Sequence, residues 1–458
     1  MSRMRAFGDR FSALASRWMP DPFVLVLLLS LVVCVIALVM GRNLEGMAFS
    51  ERVSHLATGW FDSLYKVGLM RFAMQMCIVL VTGHALALAP PVQRAIGVVC
   101  RQAKSARAAV VIVVLASCFA SLLQWGLGVI VGALMAREMG KYLKREGIVV
   151  HYPLLGAAGY AGFLVWHGGL SGSAPLKVAE KGHFLEEAIG VIPVTETIFS
   201  MMNVSITLSM IVVLVGACWW MMPRDESQMV EFPDEPERDV RDEEVHSSRG
   251  GVVQWLERGR VFSKGVALLL CAWCVWWFGK KGLAGMNLNT INLTFLASGL
   301  LLHRSARDYV DAVGEGVRGC AGVILQFPFY FGVLGLLTSS GLITQLSEWM
   351  VSMSGPGSFG VMTFLAAGFV NLMVPSGGGQ WAVQGPLMVE GARQLGLEMP
   401  QVILAMSYGD AWTNLLQPFW ALPLLGIMRL EARDIIGYTA LLMCLTGPVI
   451  MAWLYVWA

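Results

Sequence analysis

From Phe23 to Met40 the chain reads FVLVLLLSLVVCVIALVM, a run without a charged residue, and runs of this kind recur along its length. An apolar run of about 20 residues is what a helix needs to cross the hydrocarbon core of a bilayer. Of the 458 residues 56% are apolar and only 14% charged, with a mean hydropathy of +0.64, against roughly 25% charged in soluble chains. The composition specifies an all-α polytopic membrane protein. A net charge of +2 without a clustered basic patch argues against a nucleic-acid partner. The nine cysteines are scattered through apolar runs, which suits neither a disulfide framework nor a metal cluster. Cys271 and Cys274 form a C-x-x-C inside a Trp-rich span, where helix packing is the simpler reading.

Nine transmembrane helices are expected near 23–41, 68–88, 152–177, 196–222, 264–279, 290–302, 319–338, 400–428 and 436–457. Two further apolar segments, 108–136 and 358–391, are too long for one crossing and are interrupted midway, at QWGLG (residues 124–128) and PSGGG (375–379). Proline lacks a donor and glycine carries the largest backbone entropy cost, so Gly377, Gly378 and Gly379 behind Pro375 and Ser376 are expected to break the helix. Each segment reads as a re-entrant hairpin that enters and leaves on the same side.

The two halves are related. FASLLQWGLG from Phe119 aligns with FVNLMVPSGG from Phe369 at an offset of 250 residues, and YAGFLVWHGGLSGSAP with YGDAWTNLLQPFWALP at 248. The order that follows is a basic amphipathic segment (1–20), a first transmembrane repeat (21–222), a charged linker (223–262), a connecting helix (263–281) and a second repeat (287–458). Four crossings per repeat plus the connecting helix make the second copy inverted. With the N-terminus inside, 24 of the 33 Lys and Arg fall on cytoplasmic segments, the bias of the positive-inside rule, and the C-terminus is then outside.

Broken backbone at membrane depth survives only where protein or water lines a cavity, because an unpaired peptide group facing lipid costs several kcal/mol. Inverted repeats with paired discontinuous helices place substrate and ion sites where the breaks meet. Helix N-termini there offer free N–H groups to an anion, and carbonyls and hydroxyls can hold a cation. On that logic Gln124, Trp125, Gly126, Trp166, His167, Gly168, Gly169, Ser171, Ser173, Ser376, Gly377, Gly378, Gly379, Gln380, Trp381, Trp412 and Gln417 are the substrate-site candidates. No Lys or Arg falls in the middle of a span to clamp a second carboxylate, which favours a small monoanion. Trp125, Trp166, Trp381, Trp412 and Trp420 offer walls for a short apolar tail, or else ordinary packing. Asp410 is an ionisable group within a span, the usual mark of an ion or proton route; with Asn371, Thr413 and Asn414 it forms the coupling-ion candidates. His167 and His84 are further proton carriers or satisfied structural histidines. No resident metal or cofactor is implied beyond possible Na⁺.

At PSGGGQWAVQGP, FLVWHGGLSGSAP, RWMPDP, VTGHALA and LQFPFYFG the sequence resembles the bacterial short-chain fatty acid transporter family, over nearly the whole chain apart from the linker. The resemblance implies uptake of small monocarboxylates such as butyrate or acetoacetate in the bacterial inner membrane. It also implies the ion transporter superfamily fold, with inverted repeats, hairpin tips at 124–128 and 376–380, unwound strands at 166–173 and 410–417, and a homodimer with elevator-like motion. Where the family pattern has a third glycine after the first tryptophan motif, this chain has His167. The Ser-Asn-Thr tip of the sodium-dependent dicarboxylate branch is absent, and the coupling cation stands open between H⁺ and Na⁺. The rival readings are a carrier for dicarboxylates or aromatic conjugates, a passive channel, and a membrane-embedded enzyme. The last has no G-x-S-x-G or H-E-x-x-H in its support.

Overall fold

The computed structural model describes residues 22–223, 225–233, 251–372 and 376–457. The basic segment 1–20, the linker residues 234–250 and Pro375 lie outside the described residues. The described chain is helical throughout, without a strand. The first half runs α1 (Pro22–Met40), α2 (Phe49–Leu64), α3 (Val67–Leu88), α4 (Pro90–Cys100), α5 (Ala106–Leu123), α6 (Trp125–Arg145), α7 (Tyr152–Ala161), α8 (Ser173–Val178) and α9 (Met201–Met221). After α10 (Arg260–Lys281) come α11 (Leu288–Leu302), α12 (Ala306–Val317), α13 (Cys320–Ser340), α14 (Leu342–Met353), α15 (Pro356–Asn371), α16 (Gly377–Leu395), α17 (Met399–Thr413), α18 (Pro418–Met428) and α19 (Ala432–Val456).

Local chemistry sets these boundaries. Ser105, Ser200, Asn287, Ser305 and Ser376 each accept a backbone N–H of the first turn that follows, satisfying a donor with no partner inside its helix. Gly341 and Gly396 end α13 and α16 in the left-handed conformation, where glycine has no Cβ to clash. Among the described residues six helices are long and apolar enough to cross a bilayer: α3, α5, α9, α13, α19 and the stretch Arg260–Gly285. Two shorter apolar stretches, Val26–Met40 and Leu288–Leu302, accompany them. Arm α5 of the segment expected as a hairpin is thus by length a possible crossing on its own.

Among the described helices of ten residues or more, four escaped the reading of apolar runs: α2, α4, α12 and α14. Each is short, and polar residues on one face dilute its hydropathy. They fall at matching places, so both halves run span, short helix, span, short helix, folded-back pair, broken span, final helix. The packing is matched too. α2 lies on α13 of the other half and α12 lies on α3, while α5 packs on α7 and α15 on α17. Two bundles result, one of α1, α2, α3, α11, α12 and α13, the other built from α5 to α9 and α15 to α19, joined chiefly where α3 meets α6 and α13 meets α16. At the crossing of α6 and α7, a Cβ on either Gly132 or Gly159 would enter the other's backbone; only glycine allows that approach.

Candidate functional site

The break between α5 and α6 is one residue wide. Gln124 is extended (φ −164°, ψ 131°), caps α6 by accepting the Leu127 N–H, and donates its amide to the Val79 carbonyl of α3. Gly126 falls in the first turn of α6. The tip is tied to the first broken span: the Trp125 N–H donates to Ser171 Oγ at 2.9 Å, and the Leu170 N–H to the Leu122 carbonyl at 2.7 Å. Beyond α7 the span tightens into a 3₁₀ turn, Gly162–Gly168, opens at Gly169 and resumes at Ser173.

The second break differs from its expectation. Gly377, Gly378 and Gly379 are the helical first turn of α16, capped by Ser376, which accepts the Gly379 N–H at 3.2 Å. The interruption lies before them. Glycine is tolerated in a first turn because the N–H groups there need no helical partner. Gln380 donates to the Ala367 carbonyl and to Gln384 Oε1, each at 2.8 Å, fastening α16 to α15.

Asp410 sits within helix α17 rather than in an unwound strand; the second broken span departs from α-helix only at Asn414–Leu416 and Gln417. The expected ion ligands converge. The Asn371 amide donates to the Asp410 carbonyl (2.8 Å), Thr413 Oγ1 (2.9 Å) and Asn414 Oδ1 (2.7 Å), and Gln417 returns a bond to the Asn371 carbonyl.

The two broken spans meet at His167 and Asp410, whose Nε2 and Oδ1 are 3.2 Å apart with both side chains 1% exposed. A Cβ on Gly377 would collide with His167 Nε2 and Trp166, so the tip of the second pair rests on the first broken span. Trp166 bridges the tips, since its ring also contacts Trp125 at 6.1 Å between centroids. Two tyrosines reinforce the crossing. Tyr160 donates to the Asn414 carbonyl at 2.8 Å, while Tyr408 bonds Thr207 and Asn203, and Asn203 holds the Gly168 carbonyl at 2.9 Å.

Several polar atoms at this junction are buried without a hydrogen-bond partner: both ring nitrogens of His167, both carboxylate oxygens of Asp410, Trp166 Nε1, Ser173 Oγ, Asn371 Oδ1, Gln380 Oε1 and Gln417 Oε1. Buried polar groups ordinarily find partners. Such a concentration suits a place that receives polar groups from outside the chain.

Not every candidate belongs here. Trp412 packs on Phe364 at 4.9 Å and donates to the Met443 carbonyl of α19, and the nearest ring contact of Trp381 is Phe184 at 6.4 Å. Gly378 faces Phe327 and Met76, and Gly379 faces Tyr330; only Gly377 opens toward the His167–Asp410 pair. His84 is remote from the junction, 3.8 Å from Glu315.

One feature was missed. Lys177, at the edge of an expected span, is fully buried on α8 and bonds Glu180 at 3.0 Å and Gln75 Oε1 at 3.1 Å, with the Phe72 ring 5.3 Å from its ammonium. Gln75 and Asn289 donate to Glu180 in turn. Lys177 lies at the end of its expected span rather than in the middle, and its ammonium is already committed to a carboxylate. The K-x-x-E spacing was its only trace in the sequence.

A family model described as "Short chain fatty acid transporter" matches residues 3–457. The chain belongs to this family. It is a multi-pass membrane transporter and not an enzyme. Two relatives provisionally named short-chain fatty acid transporters align with this member over nearly their full lengths. The one from Escherichia coli (strain K12) is 35% identical over 98% of both chains. The one from Haemophilus influenzae (strain ATCC 51907 / DSM 11121 / KW20 / Rd) is 33% identical over 99% of both. Among solved structures, the YdaH transporter of Alcanivorax borkumensis, described as having an unusual topology, shares the fold with a TM-score of 0.64 at 14% identity, over 96% of this chain and 98% of that one.

Proposed function

We propose that this family member is a secondary active carrier of short monocarboxylates, of the size of butyrate or acetoacetate, that works by alternating access coupled to a cation. The reading treats the halves as inverted repeats, the α5–α6 and α15–α16 pairs as re-entrant hairpins, and the junction of the breaks as the shared site. The carboxylate is received at the capped start of α16 beside Gly377, with Trp166 and Trp125 alongside its tail. The observation that carries this reading is the His167–Asp410 contact. It sets one ionisable group from each broken span, buried and otherwise unpartnered, at the point where the two halves cross. Ionisable groups inside a span usually mark an ion or proton route, and here one from each half faces the other, so H⁺ is the coupling ion favoured. Sodium is the second reading, on the strength of the three oxygens gathered around the Asn371 amide. Assembly as a homodimer in the bacterial inner membrane, N-terminus inside, completes the proposal and rests on the charge bias and the family resemblance. The test is purified protein in liposomes, with butyrate uptake measured under proton and sodium gradients imposed separately. Uptake that saturates and follows one gradient supports a coupled carrier. Linear uptake indifferent to both is the behaviour of a channel and contradicts it. Competition by unlabelled succinate would redirect the substrate to dicarboxylates.

A further inference from the structure

Beside the His167–Asp410 pair lies a cluster of four aromatic rings drawn from three separate places in the chain. Trp125 comes from the tip of the first helix pair, Phe163 and Trp166 from the 3₁₀ turn of the first broken span, and Trp420 from α18 of the second half. Phe163 and Trp166 are stacked at 5.7 Å with their planes 7° apart. Trp125 and Trp420 meet edge to face at 5.4 Å, and Phe163 touches Trp420 at 5.8 Å. The stacked pair is buried while Trp125 and Trp420 are only partly so, which makes the latter two the rim. From Trp166 the cluster continues directly into the polar site, for the His167 ring centre is 3.6 Å away.

Two features set this cluster apart from ordinary packing. The indole N–H groups of Trp166 and Trp420 are buried without an acceptor, whereas a buried indole N–H normally has one. The rings also converge on the one buried histidine and aspartate of the broken spans rather than spreading over the lipid-facing surface. A short acid with its carboxylate toward His167 answers both: the carboxylate accepts from the Trp166 indole, and the hydrocarbon body replaces ring–ring contact out to Trp420.

We propose that these four rings are the subsite for the substrate's hydrocarbon tail, and that Trp420, the wall supplied by the second half, limits tail length. This rests on the monocarboxylate reading above. A tail reaching from Asp410 past Trp166 ends against Trp420, so a longer acid must displace that indole. Replacing Trp420 by leucine removes the obstacle while keeping an apolar wall. Each methylene newly buried then raises apparent affinity about fourfold.

The experiment measures inhibition of labelled butyrate uptake in liposomes by straight-chain acids of increasing length. It compares the unmodified protein, Trp420→Leu, Phe163→Leu and, as a control on the lipid-facing surface, Trp220→Leu. The unmodified protein and Trp220→Leu are expected to share one optimum; Trp420→Leu is expected to move it to longer acids, with a KM for butyrate that rises. Phe163→Leu, a smaller change in the same cluster, is expected to move it in the same direction and keeps the test open should Trp420→Leu not fold. An unchanged optimum in a folded, transporting cluster variant overturns the tail assignment alone. If the unmodified protein carries no straight-chain acid, the monocarboxylate reading falls and the tail assignment with it.

Discussion

The Tyr160 hydroxyl donates to the backbone carbonyl of Asn414 at 2.8 Å, so the helix entering the first break is fastened to the turn that makes the second. Tyr408, its counterpart 248 residues on, reaches back to Asn203 and Thr207 on α9. Broken helices leave carbonyls short of helical partners; Tyr160 brings a donor to one from the opposite half, whereas Tyr408 bonds side chains of the unbroken α9. The Asn414 carbonyl also accepts the Gln417 N–H at 3.0 Å, so Tyr160→Phe should lower stability by about 0.5–1.5 kcal/mol, the net worth of one hydrogen bond, read as a lower melting temperature in detergent. A variant that melts with the unmodified protein would show that water replaces the bond.

The His167–Asp410 contact leads to a functional prediction. Asp410→Asn keeps the shape and removes the ionisation. Uptake driven by an inward proton gradient should fall sharply, while exchange of labelled for unlabelled acid persists, since exchange requires no net release of the coupling ion. His167→Gln should weaken gradient-driven uptake in the same sense. A pH profile identical to the unmodified protein's would remove Asp410 from coupling.

The three glycines are not equivalent. A Cβ on Gly377 runs into His167 and Trp166, whereas one on Gly378 comes 3.1–3.2 Å from Phe327 and the flexible side chain of Met76. Gly377→Ala should transport poorly at normal membrane levels, and Gly378→Ala should be milder. The larger Gly378→Val should also transport poorly, through repacking against α3 and α13. Equal uptake by Gly377→Ala and the unmodified protein would detach that turn from the site.

Lys177 and Glu180 form a buried ion pair held by Gln75 and Asn289. Removing Lys177 leaves Glu180 to the half-exposed Arg71, 3.7 Å away: Lys177→Met should cost up to about 3–5 kcal/mol, and much of that should return in the Lys177→Met, Glu180→Leu double variant, because an apolar pair has no buried charge to compensate. Thermal unfolding of the single and double variants measures this. A single variant as stable as the parent would mean that Glu180 is protonated or hydrated in its absence.

Membrane residence and the all-helical class were legible in the amino-acid order, because a bilayer forces every backbone group into helices and a 20-residue apolar run writes that requirement locally. The interruption at Gln124 was legible for a similar reason, since a capping residue acts within one turn; the second was read into the glycines, which are helical. Tertiary structure alone decided which marked residues come together. His167 and Asp410 are 243 positions apart and carry no shared local signature, yet they touch; Trp412 and Trp420 read alike, yet one faces α19 and the other the aromatic cluster. The short helices α2, α4, α12 and α14 were hidden because polar residues dilute their hydropathy. Lys177 was hidden because Gln75 and Phe72, which meet it, come from a distant segment, and a pattern read over a few turns does not encode what a side chain will meet across the bundle.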